Sequence, residues 1–148
     1  MLAILIGVAL TMGLFMAVQP AINLELRRFV GSPAQAAMVS TSVSTISLAF
    51  FVFVVQRKPW PSLEAAISTQ WWIWVGGLLG AAYVAISVVL IQRLGAAFAF
   101  SLVVLGQMAT AMVMDRFGLF GIPVHELTPG RLIGVSLVIS GVVLIRMF

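Results

Sequence analysis

The chain has 148 residues, of which 62% are hydrophobic and 8% charged, and its mean hydropathy is +1.19. A soluble domain of this size carries about 25% charged residues to cover its surface, so the composition excludes one and points to an integral membrane protein. Eight Lys/Arg against four Asp/Glu give a formal charge of +4, but the basic residues fall between apolar runs. There they act on topology and lipid headgroups, and no nucleic-acid partner is expected. The absence of Cys excludes disulfides and thiolate metal sites, and a single His leaves Zn²⁺ short of ligands, so no metal or other cofactor is expected.

The first apolar run, about 2–22, lacks the Lys/Arg start of a signal peptide and is longer than its roughly 7–15-residue core, so it reads as span 1. Pro20 near its end releases a backbone carbonyl, and Gln19 and Asn23, four apart, share a helix face. Glu25, Arg27 and Arg28 follow. Gly31 ends the helix, and Ser32 caps the next one with Pro33 at its first position.

Span 2, about 34–55, carries Ser40, Thr41, Ser42, Ser44, Thr45 and Ser47, with Ser40, Ser44 and Ser47 on one stripe. Two readings fit: close helix packing with hydroxyls bonded to carbonyls, or the lining of a pore or substrate path. The run Gln56 to Pro61 closes the span, and Ser62 to Gln70 suits a short interfacial helix capped by Ser62. Trp71, Trp72 and Trp74 enter span 3, about 71–91, either as an interfacial belt or as a lid over substrate. Gly76 and Gly80 form a G-x-x-x-G that lets another helix approach, with Tyr83 and Ser87 continuing their stripe.

Span 4, about 95–114, is twenty residues without a charge, or about 30 Å of helix, and contains Gln107. Asp115-Arg116 and the breakers Gly118, Gly121 and Pro123 end it. The single His125 falls in the loop that follows. Thr128 caps span 5, about 129–145, which bears Gly134, Ser140 and Gly141. The expected fold is therefore all-α: one membrane domain, 1–148, of five transmembrane helices.

With five spans, Arg57, Lys58, Arg116 and Arg131 lie on the side of the N-terminus, and Arg27, Arg28, Arg93 and Arg146 on the other: four against four. The positive-inside rule thus gives no orientation. Chance balance is one explanation. The sharper one is dual topology, with both orientations inserted and assembled as an antiparallel homodimer about a two-fold axis in the membrane plane.

Several of these residues form a pattern. Gln19 and Asn23, Gly31-Ser32-Pro33, Trp72, and Gly76-Gly77-Leu78-Leu79-Gly80-Ala81 belong to it. So do Leu94-Gly95-Ala96, Gly106-Gln107, Asp115-Arg116-Phe117-Gly118-Leu119-Phe120-Gly121, Leu127-Thr128-Pro129, Arg131, Gly134 and Gly141-Val142-Val143-Leu144. The pattern resembles the YdcZ-type small membrane proteins of the drug/metabolite transporter superfamily, over nearly the whole chain. Its most specific part is Gly-Gln, with Asp-x-Phe-Gly beginning eight residues after the Gln. The resemblance implies a multi-pass protein of a bacterial-type inner membrane. It also implies five-helix chains that occur as dual-topology single copies, as oppositely oriented pairs, or as fused ten-helix proteins. A homodimer of inverted copies is the form that the balanced charge matches. The segment from Gly134 to Ile145 is also similar to the last helix of the small multidrug resistance proteins, which implies Gly134 and Gly141 at a subunit contact. The chain departs from those relatives in span 1, where Val8 to Val18 holds no proton-exchanging carboxylate.

The expected function is small-metabolite transport by alternating access, for a polar or weakly charged solute. Uncharged polar groups would line the site: Gln19, Asn23, Ser44, Tyr83 and Gln107, since amides both donate and accept. Each could instead serve packing. Glu25 and Asp115 are the carboxylates near enough to the membrane for any coupling. The alternatives are multidrug or quaternary-cation efflux through an aromatic surface, and a non-transporting scaffold. With no nucleophile–base pair, metal cluster or phosphate loop visible, an enzyme is not expected.

Overall fold

The computed structural model of the chain describes residues 1–59 and 62–148. All regular structure among them is helical, and five stretches are long and apolar enough to cross a membrane. These are α1 (Leu2–Val30), α2 (Pro33–Phe50) with a wider-wound continuation over Phe51–Val55, α4 (Val75–Leu94) entered through a 3₁₀ turn over Trp71–Trp74, α5 (Ala96–Phe117) and α6 (Pro129–Met147). The short helix expected between spans 2 and 3 is α3 (Leu63–Ser68). In the stretch expected to close span 2, Trp60 and Pro61 lie outside the described residues.

The helices outlast the apolar runs that predict them. α1 has 29 residues, about 43 Å, so its last turns carry Glu25, Arg27 and Arg28 beyond a hydrocarbon core of about 30 Å. α5 likewise continues through Asp115 and Arg116 to Phe117. A charge ends burial in lipid, but it leaves the i to i+4 hydrogen-bond ladder intact.

Backbone conformation stops the helices instead. Gly31, at φ 97°, closes α1 and donates its N–H to Arg27 O at 2.8 Å. The Ser32 hydroxyl accepts from the Gln35 N–H at 3.2 Å with Pro33 at the first position of α2, and Thr128 caps α6 in the same way, accepting from the Arg131 N–H at 3.4 Å. The caps predicted at Ser32 and Thr128 both form.

The chain divides into two compact units, Met1–Gln92 and Arg93–Phe148. In the first, α1 packs on α2. Small residues make the approach close: Ala36 and Ala37 on α2 are 0% and 5% exposed, and Pro20 and Asn23 are buried on α1. Where lipid gives no hydrophobic drive between helices, such close contact supplies the packing energy. Arg27 Nη1 donates to Gln92 Oε1, joining the C-terminal ends of α1 and α4. That bond puts both ends at one membrane face, as a five-span thread requires.

The second unit is the antiparallel pair α5 and α6. It is tied at both ends. Asp115 and Arg131 form an ion pair at 2.5 Å beside the connecting loop, and the Arg146 guanidinium lies 5.5 Å from the centre of the Phe98 ring at the other end.

Candidate functional site

Gln19 and Asn23 stand one helical turn apart on α1, and the structure places both on a cleft of about 270 Å³ facing α2. Phe15, Val18 and Ile22 give it an apolar wall, and Ser40 reaches it from α2. Asn23 is 2% exposed, yet its Nδ2 has no hydrogen-bond partner. A buried amide left without a partner costs on the order of 1–3 kcal/mol.

Ser40 is unusual within its helix. The other hydroxyls of the Ser/Thr stretch donate back into α2 itself: Thr41 to Ala37 O, Ser42 to Met38 O, Ser44 to Ser40 O, Thr45 to Thr41 O and Ser47 to Val43 O, all at 2.8–3.0 Å. Satisfied in this way, they can face lipid at little cost. Ser40 makes no such bond among the described residues, and it lines the cleft. Three polar side chains, of Gln19, Asn23 and Ser40, thus meet in one place, and among the described residues the Asn23 Nδ2 has no partner there.

The remaining candidates lie elsewhere. Ser44 is exposed one turn beyond Ser40, and Tyr83 is half-buried on α4; neither lines the cleft. Gln107 is exposed on α5, in the second unit. Glu25 pairs with Arg28 at 2.8 Å on the open side of α1, and Asp115 is held by Arg131. No described carboxylate lines the cleft, and no group of acidic or His side chains among the described residues could hold a metal ion.

The sequence offered Ser40 only as a member of a stripe with Ser44 and Ser47. Choosing within that stripe requires the height at which α2 crosses α1. The tight packing of Ala36 and Ala37 sets that height, one turn before Ser40.

The glycines singled out for packing are open. Within their own units, nothing stands within 4 Å of a Cβ built on Gly76, Gly80, Gly134 or Gly141. Gly141 also lines a shallow apolar groove of about 350 Å³ between α5 and α6, with Phe100, Val104 and Val138 among its walls.

Residues 4–144 match the model of the family described as "Putative inner membrane exporter, YdcZ". The chain belongs to the YdcZ family. A relative, the "Inner membrane protein YdcZ" of Escherichia coli (strain K12), is 32% identical over 78 residues, which are 53% of this chain and 52% of that protein. The match thus spans about half the length of that relative. No solved structure matches the chain. Membership in the YdcZ family, together with five membrane-length helices, makes this a multi-pass inner membrane protein. The segment 115–121 carries the chain from the end of α5 into the loop before α6. There Asp115 supplies the ion pair to Arg131, and Gly118, Phe120 and Gly121 take positive φ values of 62°, 58° and 78° to turn the chain toward α6.

Proposed function

We propose that this YdcZ-family chain transports a small polar or weakly charged metabolite by alternating access, as an antiparallel homodimer of dual topology. The observation that carries the proposal is the meeting of Gln19, Asn23 and Ser40 at a cleft between α1 and α2, with the buried Asn23 Nδ2 unpartnered among the described residues. Intramembrane polar groups persist where they bind something. The lining is mostly apolar with a few convergent amides and a hydroxyl, the usual composition of a small-molecule site.

The even distribution of basic residues and the open glycine faces of α4 and α6 support pairing of inverted copies. In such a dimer the inward-open and outward-open states are related by the two-fold axis and equal in energy, so exchange needs no coupled ion. The lack of a described carboxylate in the cleft fits uncoupled movement and does not favour exchange of protons for cations.

The test is reconstitution. Liposomes carrying the purified protein, loaded with a mixture of cytosolic metabolites, should release a subset of solutes faster than protein-free liposomes do. Asn23→Leu should abolish that release and Ser40→Ala should slow it about tenfold, the weight of one hydrogen bond, while the dimer survives. A protein that releases nothing above background would overturn the proposal.

A further inference from the structure

Gln19, Asn23 and Arg27 recur every fourth residue, so they form one stripe along α1 with steps of about 6 Å. The stripe runs from the cleft to the membrane face. At that face Arg27 lines a second hollow, of about 330 Å³, together with Leu24, Arg28, Gly31 and Gln92. Its charges are unevenly matched. Arg28 is paired with Glu25 at 2.8 Å, whereas Arg27 bonds to the neutral amide of Gln92 and to no carboxylate among the described residues. An amide oxygen accepts one hydrogen bond but neutralises nothing, and a guanidinium has five N–H donors in a fork suited to a carboxylate, sulfonate or phosphate.

We propose that the α1 stripe selects small organic anions, with the Arg27 guanidinium taking the charged group, Asn23 Nδ2 donating one turn deeper, and Phe15, Val18 and Ile22 holding the apolar body. The proposal rests on the cleft being the transport site, and it narrows the solute to an amphipathic anion. The groups available along the stripe favour this charge. The one formal charge on the stripe is that of Arg27, which only donates, and the Asn23 Nδ2 is an unpartnered donor; the amide oxygens of Gln19 and Asn23 accept but carry no charge. A cation would meet the unmatched guanidinium with no described carboxylate in the cleft to receive it. Basic residues at a helix C-terminus ordinarily face the helix dipole or a lipid phosphate. Arg27 differs in reaching across to α4 and in lining a hollow one turn from a buried, unpaired amide.

The test uses the full chain in phosphatidylcholine nanodiscs and three probes with the same ring: benzenesulfonate, benzamide and benzyltrimethylammonium, with binding measured by calorimetry. Benzenesulfonate should bind tightest. Arg27→Gln should weaken it on the order of tenfold or more, the loss expected for a hydrogen bond to a charged group, while benzamide binding stays unchanged. Arg27→Lys, which keeps the charge, should retain the preference for sulfonate, and it separates a charge effect from misfolding. Tightest binding of benzyltrimethylammonium, lost in Asn23→Leu, would overturn the anion proposal and leave the cleft as the site. Sulfonate binding indifferent to Arg27→Gln would overturn it too. If the sulfonate does not bind but added phosphatidylglycerol does, in a manner that depends on Arg27, the hollow is a headgroup site and the proposal fails. Failure of the transport reading itself looks different: no probe would respond to Asn23→Leu.

Discussion

Asp115 on α5 and Arg131 on α6 meet at 2.5 Å, and the Asp115 carbonyl accepts the N–H of His125 at 2.9 Å. One residue therefore ties down both the second helix of the pair and the loop leading to it. The pair is largely shielded, with side-chain exposures of 21% for Asp115 and 37% for Arg131, and Arg131 Nη1 is buried without a partner. Asp115 thus holds a hairpin together and is not a free carboxylate. Its replacement by Asn should lower stability by about 1–3 kcal/mol, because Arg131 would lose its counter-charge. Thermal unfolding of D115N, R131Q and the double variant should show the two losses combining to less than their sum.

Gly118 is required by the turn after α5. Its φ is 62°, and a Cβ there would come within 2.9 Å of Val124 Cγ2. Gly118→Ala should cost about 1–2 kcal/mol for the left-handed backbone alone. Gly106→Ala is the control: that glycine is helical with nothing within 4 Å, so alanine should stabilise the chain by about 0.5–1 kcal/mol. Equal melting temperatures for the two variants would contradict the turn geometry.

Ser40 and Ser44 lie one turn apart and should respond differently. The Ser44 hydroxyl is committed to the Ser40 carbonyl at 3.0 Å, while Ser40 itself lines the cleft. In a reconstituted uptake assay, Ser44→Ala should leave the rate within about twofold of the parent, and Ser40→Ala should reduce it about tenfold, the weight of one hydrogen bond.

Gly141 has open space around it in the single chain. Leucine there should fit the monomer and obstruct a partner helix. Mass photometry in detergent should find G141L shifted toward monomer with its helix content unchanged, and an unshifted dimer would place the subunit contact elsewhere.

Dual topology can be read from cysteines, since the chain has none of its own. Single cysteines at Arg57 and at Arg93, loops expected on opposite faces, should each be labelled from outside intact cells to about half of the total. Labelling of one site alone would leave a single orientation.

The membrane class, the five spans and the side-chain caps of α2 and α6 were legible in the sequence because each depends on local chemistry. Apolar length sets a span, and Ser32-Pro33 or Thr128-Pro129 starts a helix whatever surrounds it. The ends of α1 and α5 were less legible. Glu25, Arg27, Arg28 and Asp115 mark where lipid stops, but the helix continues until a glycine at positive φ interrupts it.

The site was legible only in part. Gln19 and Asn23 declared themselves by polarity inside an apolar run and by their spacing of four. The role of Asp115 was not readable, because its partner lies sixteen residues away across a turn. Nor could the sequence separate Ser40 from Ser44, or single out Arg27 from Arg28. Those distinctions depend on which face of one helix meets another: Ala36 and Ala37 set the height at which α2 passes α1, and Gln92 on α4 takes Arg27 while Glu25 takes Arg28. Composition and local pattern therefore determined that this chain spans a membrane five times and carries polar groups within it. Tertiary packing decided which of those groups meet at the cleft between α1 and α2, because that depends on where a second helix crosses the first, which sequence spacing does not specify.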